Sequence, residues 1–215
     1  MLKTKVKASA VTNLTDARYF AAWEVEWLGF NLNQGTDDYI DPNAMVAIKE
    51  WVDGVQIVGE FNLPDLETVQ FAIDHLGIDQ VQVGQLVDNE VLLALREKLE
   101  IPIIQEIIID GDEAPETTIN LLEEKKGLVD TFLLNFEQNK IDLFKDDFSL
   151  QDVLKDICSR FPVLIAAHFS AEQLNQLLEK VEPLGISLKG GAEEKVGYKS
   201  FDELDEIFEE IEILV

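Results

Sequence analysis

The chain has 215 residues, of which 47% are hydrophobic and 28% charged, and this composition predicts a packed globular fold rather than a disordered chain. Its 43 acidic residues outnumber 17 basic ones, for a formal charge of −26. That sign argues against nucleic acid and anionic membranes as partners, and it works against phosphorylated substrates. We expect the acids to form a solvated outer ring; a protein partner with a basic surface is the alternative.

Signals for export, membrane insertion and metal binding are missing from the sequence. No apolar run approaches the ~20 residues of a membrane span, and no secretory pattern opens the chain. The single cysteine, Cys158, has no partner for an internal disulfide. No grouping of His, Cys and carboxylates has metal-ligand spacing. We therefore predict a cytoplasmic protein without metal or cofactor.

Short apolar runs alternate with helical patterns along the whole chain. The first predicted strand ends at Ser9, and the other seven cover 26–31, 55–61, 80–83, 101–109, 131–136, 162–167 and 186–189. The predicted helices cover 14–23, 42–51, 64–75, 89–99, 113–125, 150–160, 170–181 and 201–213. Eight strand-helix units predict a single α/β domain, residues 1–215, folded as an eight-stranded parallel TIM-type barrel. An open doubly wound sheet is the alternative, but its glycine-rich fingerprint after the first strand is missing.

The first strand runs directly into the first helix. Lys5, Lys7 and Ser9 alternate with apolar residues, which is typical of a strand, and Asn13 or Thr15 can cap the helix that follows. Ser9 therefore stands at the carboxyl end of the strand. In a parallel barrel this end faces the side where functional residues gather.

This opening stretch, 7–17, resembles the phosphoribosylanthranilate isomerase family of tryptophan biosynthesis, whose first strand reads Lys-Ile-Cys-Gly-Ile-Thr-Asn before an Asp-Ala helix start. Weaker matches follow in the same order and spacing at 28–30, 39–42, 58–62, 81–84, 170–174 and 197–199. The resemblance implies the same barrel. It also implies an aldose-to-ketose Amadori rearrangement, which needs an acid and a base.

Both catalytic positions carry a different residue in this chain. The resemblance implies that the base is the strand-one cysteine, and Ser9 stands there; it implies that the acid is an Asp ending strand six, and Asn135 stands there. A serine hydroxyl needs an adjacent base to react, and an amide delivers no proton. A different register of strand six would place Asp130 at the site, but it would leave the apolar run 132–134 in a loop.

The binding positions implied by the resemblance differ as well. Asp38 aligns with an arginine expected to hold the substrate carboxylate, and Ala167-His168 replace a Gly-Gly pair. Lys189-Gly190-Gly191 follow the last strand, where a barrel often binds phosphate, and could still hold an anion weakly. A small anionic or polar ligand at the barrel top is therefore expected.

Other polar residues at strand ends have several interpretations. Lys7 and Glu60 are expected to form an internal ion pair in the lower barrel layer, because either charge alone would be costly to bury. His168 is either a base near Ser9 or a loop histidine, and Lys189 is either exposed or a Schiff-base lysine.

Three functional hypotheses remain open. The first is a family barrel that has lost isomerase activity and serves in binding or regulation. The second is an enzyme for another small molecule in a pocket formed by Ser9, Glu60, Gln82, Asn135 and His168. The third is a true isomerase that uses Asp130. Convergent polar groups with shifted pKa values would favour the second hypothesis, and a plugged pocket would favour the first.

Overall fold

A computed structural model of the chain describes residues 1–111, 115–144, 148–191, 193–195 and 198–213; the side chains of 148, 149, 193–195 and 198–199 are not described. The predicted helix start at Glu113, and Gly197 of the segment 197–199, lie outside the described residues. No helix in the described ranges combines the length and apolarity that a membrane span requires.

Eight parallel strands close into a barrel in chain order, as the sequence predicts. They are β1 Lys5–Ser9, β2 Trp27–Asn31, β3 Gln56–Phe61, β4 Gln80–Val83, β5 Ile103–Ile108, β6 Thr131–Asn135, β7 Val163–Ala166 and β8 Gly185–Lys189. Strand β8 closes on β1 with Lys7 opposite Ser187 and Ser9 opposite Lys189. This register brings the carboxyl ends of the first and last strands together.

A helix follows each strand and covers the barrel from outside. The helices are α1 Leu14–Ala22, α2 Pro42–Lys49, α3 Leu66–Phe71, α4 Asn89–Leu99, α5 Pro115–Lys125, α6 Phe148–Arg160, α7 Ala171–Val181 and α8 Asp202–Ile211. Asn13 caps α1, as predicted, by accepting a hydrogen bond from the Asp16 amide at 2.9 Å. Ser170 and Gln173 form a reciprocal capping box on α7.

The barrel interior changes from apolar to polar towards its carboxyl end. Trp27, Val58, Ile104, Leu133 and Leu164 form a buried inner cluster, separate from the larger core between strands and helices. The inward positions nearer the carboxyl ends carry hydrogen-bonding side chains instead. The apolar layer therefore fills the barrel interior below the polar carboxyl end.

Two local features were not predicted. Helix α3 continues as a π-helical turn, Ala72–Leu76, that ends at Gly77 in the left-handed conformation. A short antiparallel hairpin, β9 Glu193–Lys195 with β10 Tyr198–Lys199, follows β8. Both elements are too short for the spacing of hydrophobic residues to predict them.

Candidate active site

A cavity of about 640 Å³ opens at the carboxyl face of the barrel, within the size range of small-molecule sites. Residues at the ends of strands β1 to β8 line it. The predicted site residues among them are Ser9, Glu60, Gln82, Asn135 and Lys189. The pocket is therefore open rather than plugged by side chains.

A buried ion pair supports the floor of this cavity. Lys7, with no exposed surface, pairs with Glu60, which is 7% exposed. The predicted pair is therefore present, but it lies directly beneath the cavity and not in the lower layer, because Glu60 stands near the carboxyl end of β3. The same Lys7 ammonium donates to Ser9 Oγ at 2.6 Å, and Ser9 Oγ lies 2.7 Å from Ser187 Oγ. Ser9 is thus held between a cation and a second hydroxyl.

Neighbouring backbone makes room for the ion pair. A Cβ atom on Gly29 would lie 2.8 Å from Lys7 Nζ and closer still to Glu60 Oε1, so any larger residue there would displace the buried pair. Ala10 donates its backbone N–H to Glu60 Oε2 at 3.1 Å and adopts a positive φ of 53°. A non-glycine residue rarely takes this conformation, and Ala10 stands where the resembling family has glycine.

Asn135 is fixed by two hydrogen bonds at the end of β6. Its amide nitrogen donates to Glu106 Oε1 at 2.6 Å, and its amide oxygen accepts from the Gln138 backbone N–H at 3.1 Å. Glu106 lies in the neighbouring strand β5 and also lines the cavity. The amide therefore holds a carboxylate at the position where the resemblance implies an acid.

Glu137 adds a second carboxyl group to this side of the cavity. Burial raises the pKa of the Glu137 carboxyl, the His168 and Lys189 charges lower it, and the Glu106 carboxylate raises it further. A carboxyl group with a raised pKa next to another carboxylate is a feature of acid-base and binding sites.

Glu137 should make stability depend on pH. A carboxyl whose pKa is raised by folding favours the folded state in its protonated form, so its contribution falls as pH rises from about 4.3 through the folded-state pKa. We expect Glu137→Gln to stabilise the protein at pH 7.5, with the difference shrinking towards pH 4. Urea denaturation at both pH values measures it. The exposed Glu67→Gln is the matched control, and a Glu137→Gln effect that does not change with pH would contradict the expectation.

The cavity carboxylates do not form a metal site. Within the described ranges, no group of three or more His, Cys, Asp or Glu side chains is arranged to hold a metal ion. The lining groups are instead spread around the cavity wall, as in sites for organic molecules.

Comparison with known proteins decides the family. The family model described as N-(5'-phosphoribosyl)anthranilate (PRA) isomerase matches residues 6–210 of this chain. The chain belongs to the phosphoribosylanthranilate isomerase family. It is 23% identical over 208 residues to N-(5'-phosphoribosyl)anthranilate isomerase 2 of Methanosarcina mazei, and the match covers 91% of this chain and 88% of that protein.

Solved phosphoribosylanthranilate isomerases share the barrel. The enzyme of Thermus thermophilus superposes with a TM-score of 0.76 at 24% identity, over 96% of this chain and 98% of that one. An isomerase in complex with reduced 1-(o-carboxyphenylamino)-1-deoxyribulose 5-phosphate superposes with a TM-score of 0.74 at 20% identity, over 97% and 98% of the two chains. At these identities the likeness concerns the fold.

Several positions assigned by resemblance to this family do not line the cavity. Asp38 forms an exposed ion pair with Lys189 at 3.5 Å, so it neutralises the lysine at the rim. His168 is exposed, does not line the cavity and acts electrostatically on Glu137, which fits the loop-histidine alternative. Ala167 is buried, 3% exposed, in the core outside the barrel.

The two glycines after β8 are explained by packing. A Cβ atom on Gly190 would lie 2.6 Å from Asp16 Oδ2, and one on Gly191 would collide with the Ser200 carbonyl. Neither glycine lines the cavity. Close approach to helix α1 therefore accounts for Gly190, and close approach to the backbone before α8 accounts for Gly191; the expected anion cradle there stays a prediction.

Asp130 lies at the opposite end of the barrel from Asn135. It precedes β6, where its carboxylate accepts from the Ile103 backbone N–H at 2.9 Å and pairs with Arg96 at 3.2 Å. Five residues of strand put roughly 16 Å between Asp130 and the cavity end. The alternative register is therefore wrong, and the Asp130 carboxylate lies far from the cavity.

Some lining residues were not singled out from sequence. No sequence motif marked Glu137, Ser187 or the asparagines Asn31, Asn33 and Asn62, all of which line the cavity. Asn33 bonds to Asn31 at 2.6 Å and to the Asn62 backbone N–H at 2.6 Å, which ties the loops after β2 and β3 together. The signal available was the cluster of short polar residues directly after each strand.

Proposed function

We propose that this member of the phosphoribosylanthranilate isomerase family has lost or strongly reduced Amadori isomerase activity and still binds a small polar molecule in its barrel-top cavity. The family membership and the fold stand on the comparisons; the loss of activity and the binding role are our proposal.

The substituted catalytic pair carries the proposal. Ser9 and Asn135 both line the cavity, so neither position has moved away from the site. Lys7 is paired with Glu60, and a protonated ammonium cannot accept the Ser9 proton. General acid-base help is worth about 10²–10⁴-fold for each group, so losing both leaves a very slow isomerase even with intact binding.

The charge of the cavity supports the same conclusion. Lys189 is the sole cation among the described lining residues, and Asp38 already pairs with it. Glu106, Glu137 and Asp37 line the wall as carboxyl groups. A ligand with both a carboxylate and a phosphate would meet charges of its own sign there.

An enzyme with another small-molecule substrate is the second candidate. Glu106 and Glu137 favour it, because two neighbouring carboxyl groups, one with a raised pKa, are able to donate and accept a proton. The open cavity supports this candidate over a purely structural barrel.

The test is an isomerase assay on freshly generated phosphoribosylanthranilate. We expect no turnover by the native chain above the uncatalysed rate, with the Thermus thermophilus enzyme as positive control. The Ser9→Cys, Asn135→Asp double variant separates the causes: turnover by this variant assigns the loss to the catalytic pair, whereas silence assigns it to binding as well. Native turnover within about tenfold of the control would refute the proposal.

A further inference from the structure

We propose that the ligand of the barrel-top cavity carries a positively charged amine on a small hydroxyl-rich skeleton, and that Gln82 and the Glu106–Glu137 wall bind it. This inference rests on the proposed function, because it names the class of molecule that the same cavity takes.

An unused hydrogen-bond acceptor lies in the cavity wall. Gln82, on β4, is 6% exposed and lines the cavity, and its Oε1 accepts no hydrogen bond from any described residue. A buried amide oxygen without a donor costs about 1–3 kcal/mol. Because this oxygen has almost no exposed surface, a ligand hydroxyl or ammonium group supplies the missing donor once the Gln82 amide turns towards the cavity on binding.

Carboxyl groups with few hydrogen-bond donors in the described part of the chain lie at the cavity wall formed by β5, β6 and the loop after β6. Among the described residues, Glu106 receives one hydrogen bond, from Asn135, and it lines the cavity. No described residue donates a hydrogen bond to the Glu137 carboxyl, whose positively charged neighbours are His168 and Lys189. An ammonium group between these two carboxyl groups would satisfy both and remove their mutual repulsion.

The remaining lining residues favour a polyhydroxylated skeleton. Ser9, Ser187, Asn31 and Asn33 present hydroxyl and amide groups around the cavity. Such side chains exchange hydrogen bonds with alcohol groups in both directions. An inorganic cation fits less well, since no described cluster holds the three carboxylate or imidazole ligands that a metal needs.

A charge series on one skeleton tests the proposal. Calorimetric titration of the full chain would use 1-amino-1-deoxy-D-ribitol, ribitol and D-ribitol 1-phosphate, which differ only in the group on carbon 1. We expect the amine to bind at least about tenfold more tightly than ribitol and the phosphate not to bind. Glu137→Gln should reduce amine affinity about tenfold and leave ribitol unchanged, while Glu67→Gln on the exposed face of α3 changes neither.

Each result of this series decides the question. Preference for the amine that disappears in Glu137→Gln supports the inference. Equal affinity for the three compounds, preference for the phosphate, no binding of the amine, or amine binding that survives Glu137→Gln overturns it. None of these readouts requires turnover, so the isomerase assay can refute the proposed function independently.

Discussion

Replacing Glu60 with Gln is expected to lower the free energy of unfolding by about 3–5 kcal/mol, because it leaves the Lys7 ammonium buried without a counter-charge. Lys7 has no exposed surface, so water cannot replace the lost carboxylate. The backbone N–H of Ala10 would lose its charged acceptor at the same time. Urea denaturation measures the change.

Two variants control this experiment. Glu26→Gln breaks the exposed ion pair, 3.1 Å long, between Lys5 of β1 and Glu26 just before β2, and should cost less than about 1 kcal/mol. Joint replacement Lys7→Met with Glu60→Met removes both charges and should recover most of the loss, since an apolar pair can replace a buried ion pair. A Glu60→Gln cost no larger than that of Glu26→Gln would contradict the account.

The Ser9→Cys thiol is expected to react with iodoacetamide in the folded protein far faster than Cys158. Lys7 Nζ lies 2.6 Å from Ser9 Oγ, and a neighbouring cation favours the thiolate. Burial raises the pKa of the Cys158 thiol to about 12. Against a usual thiol pKa of about 8.5, the thiolate fractions at neutral pH then differ by about three orders of magnitude.

Mass spectrometry on the native and urea-unfolded chain measures both alkylation rates. The wild type provides the Cys158 rate, and Ser9→Cys in a Cys158→Ala background isolates the new thiol. In urea the two thiols should react alike. If the Ser9→Cys thiol were as slow as Cys158 in the folded state, Ser9 would not face an accessible cavity, and the proposed function would lose its main support.

The fold was predictable because its signals repeat. Each unit pairs an apolar run with a helical pattern, and capping residues such as Asn13 and Ser170 stand at the helix starts. For the eight barrel strands the errors stayed near the strand ends, as for β5, expected over 101–109 and observed over Ile103–Ile108. At the ends of a strand the backbone changes to turn geometry, so the alternation of hydrophobic residues no longer marks the boundary.

The candidate site was only partly predictable because it depends on distances between strands. The alternation of Lys7 and Ser9 put both inside the barrel, and Glu60 could be expected to need the Lys7 charge. Loop residues were harder: His168 and Glu137 each stand two residues after a strand, but His168 is exposed to solvent and Glu137 lines the cavity. The path of a loop after its strand follows from packing contacts that no local pattern encodes.

The most direct measurement is a calorimetric titration of the native chain with reduced 1-(o-carboxyphenylamino)-1-deoxyribulose 5-phosphate, beside the Thermus thermophilus isomerase. This compound carries the carboxylate and phosphate that the acidic cavity of our account should reject, and its binding requires no catalysis. We predict no saturable binding to this chain at concentrations that saturate the control. Saturation at comparable concentrations would contradict the account, because the cavity would then have kept the anionic specificity that its Asp37, Glu106 and Glu137 carboxyl groups should oppose.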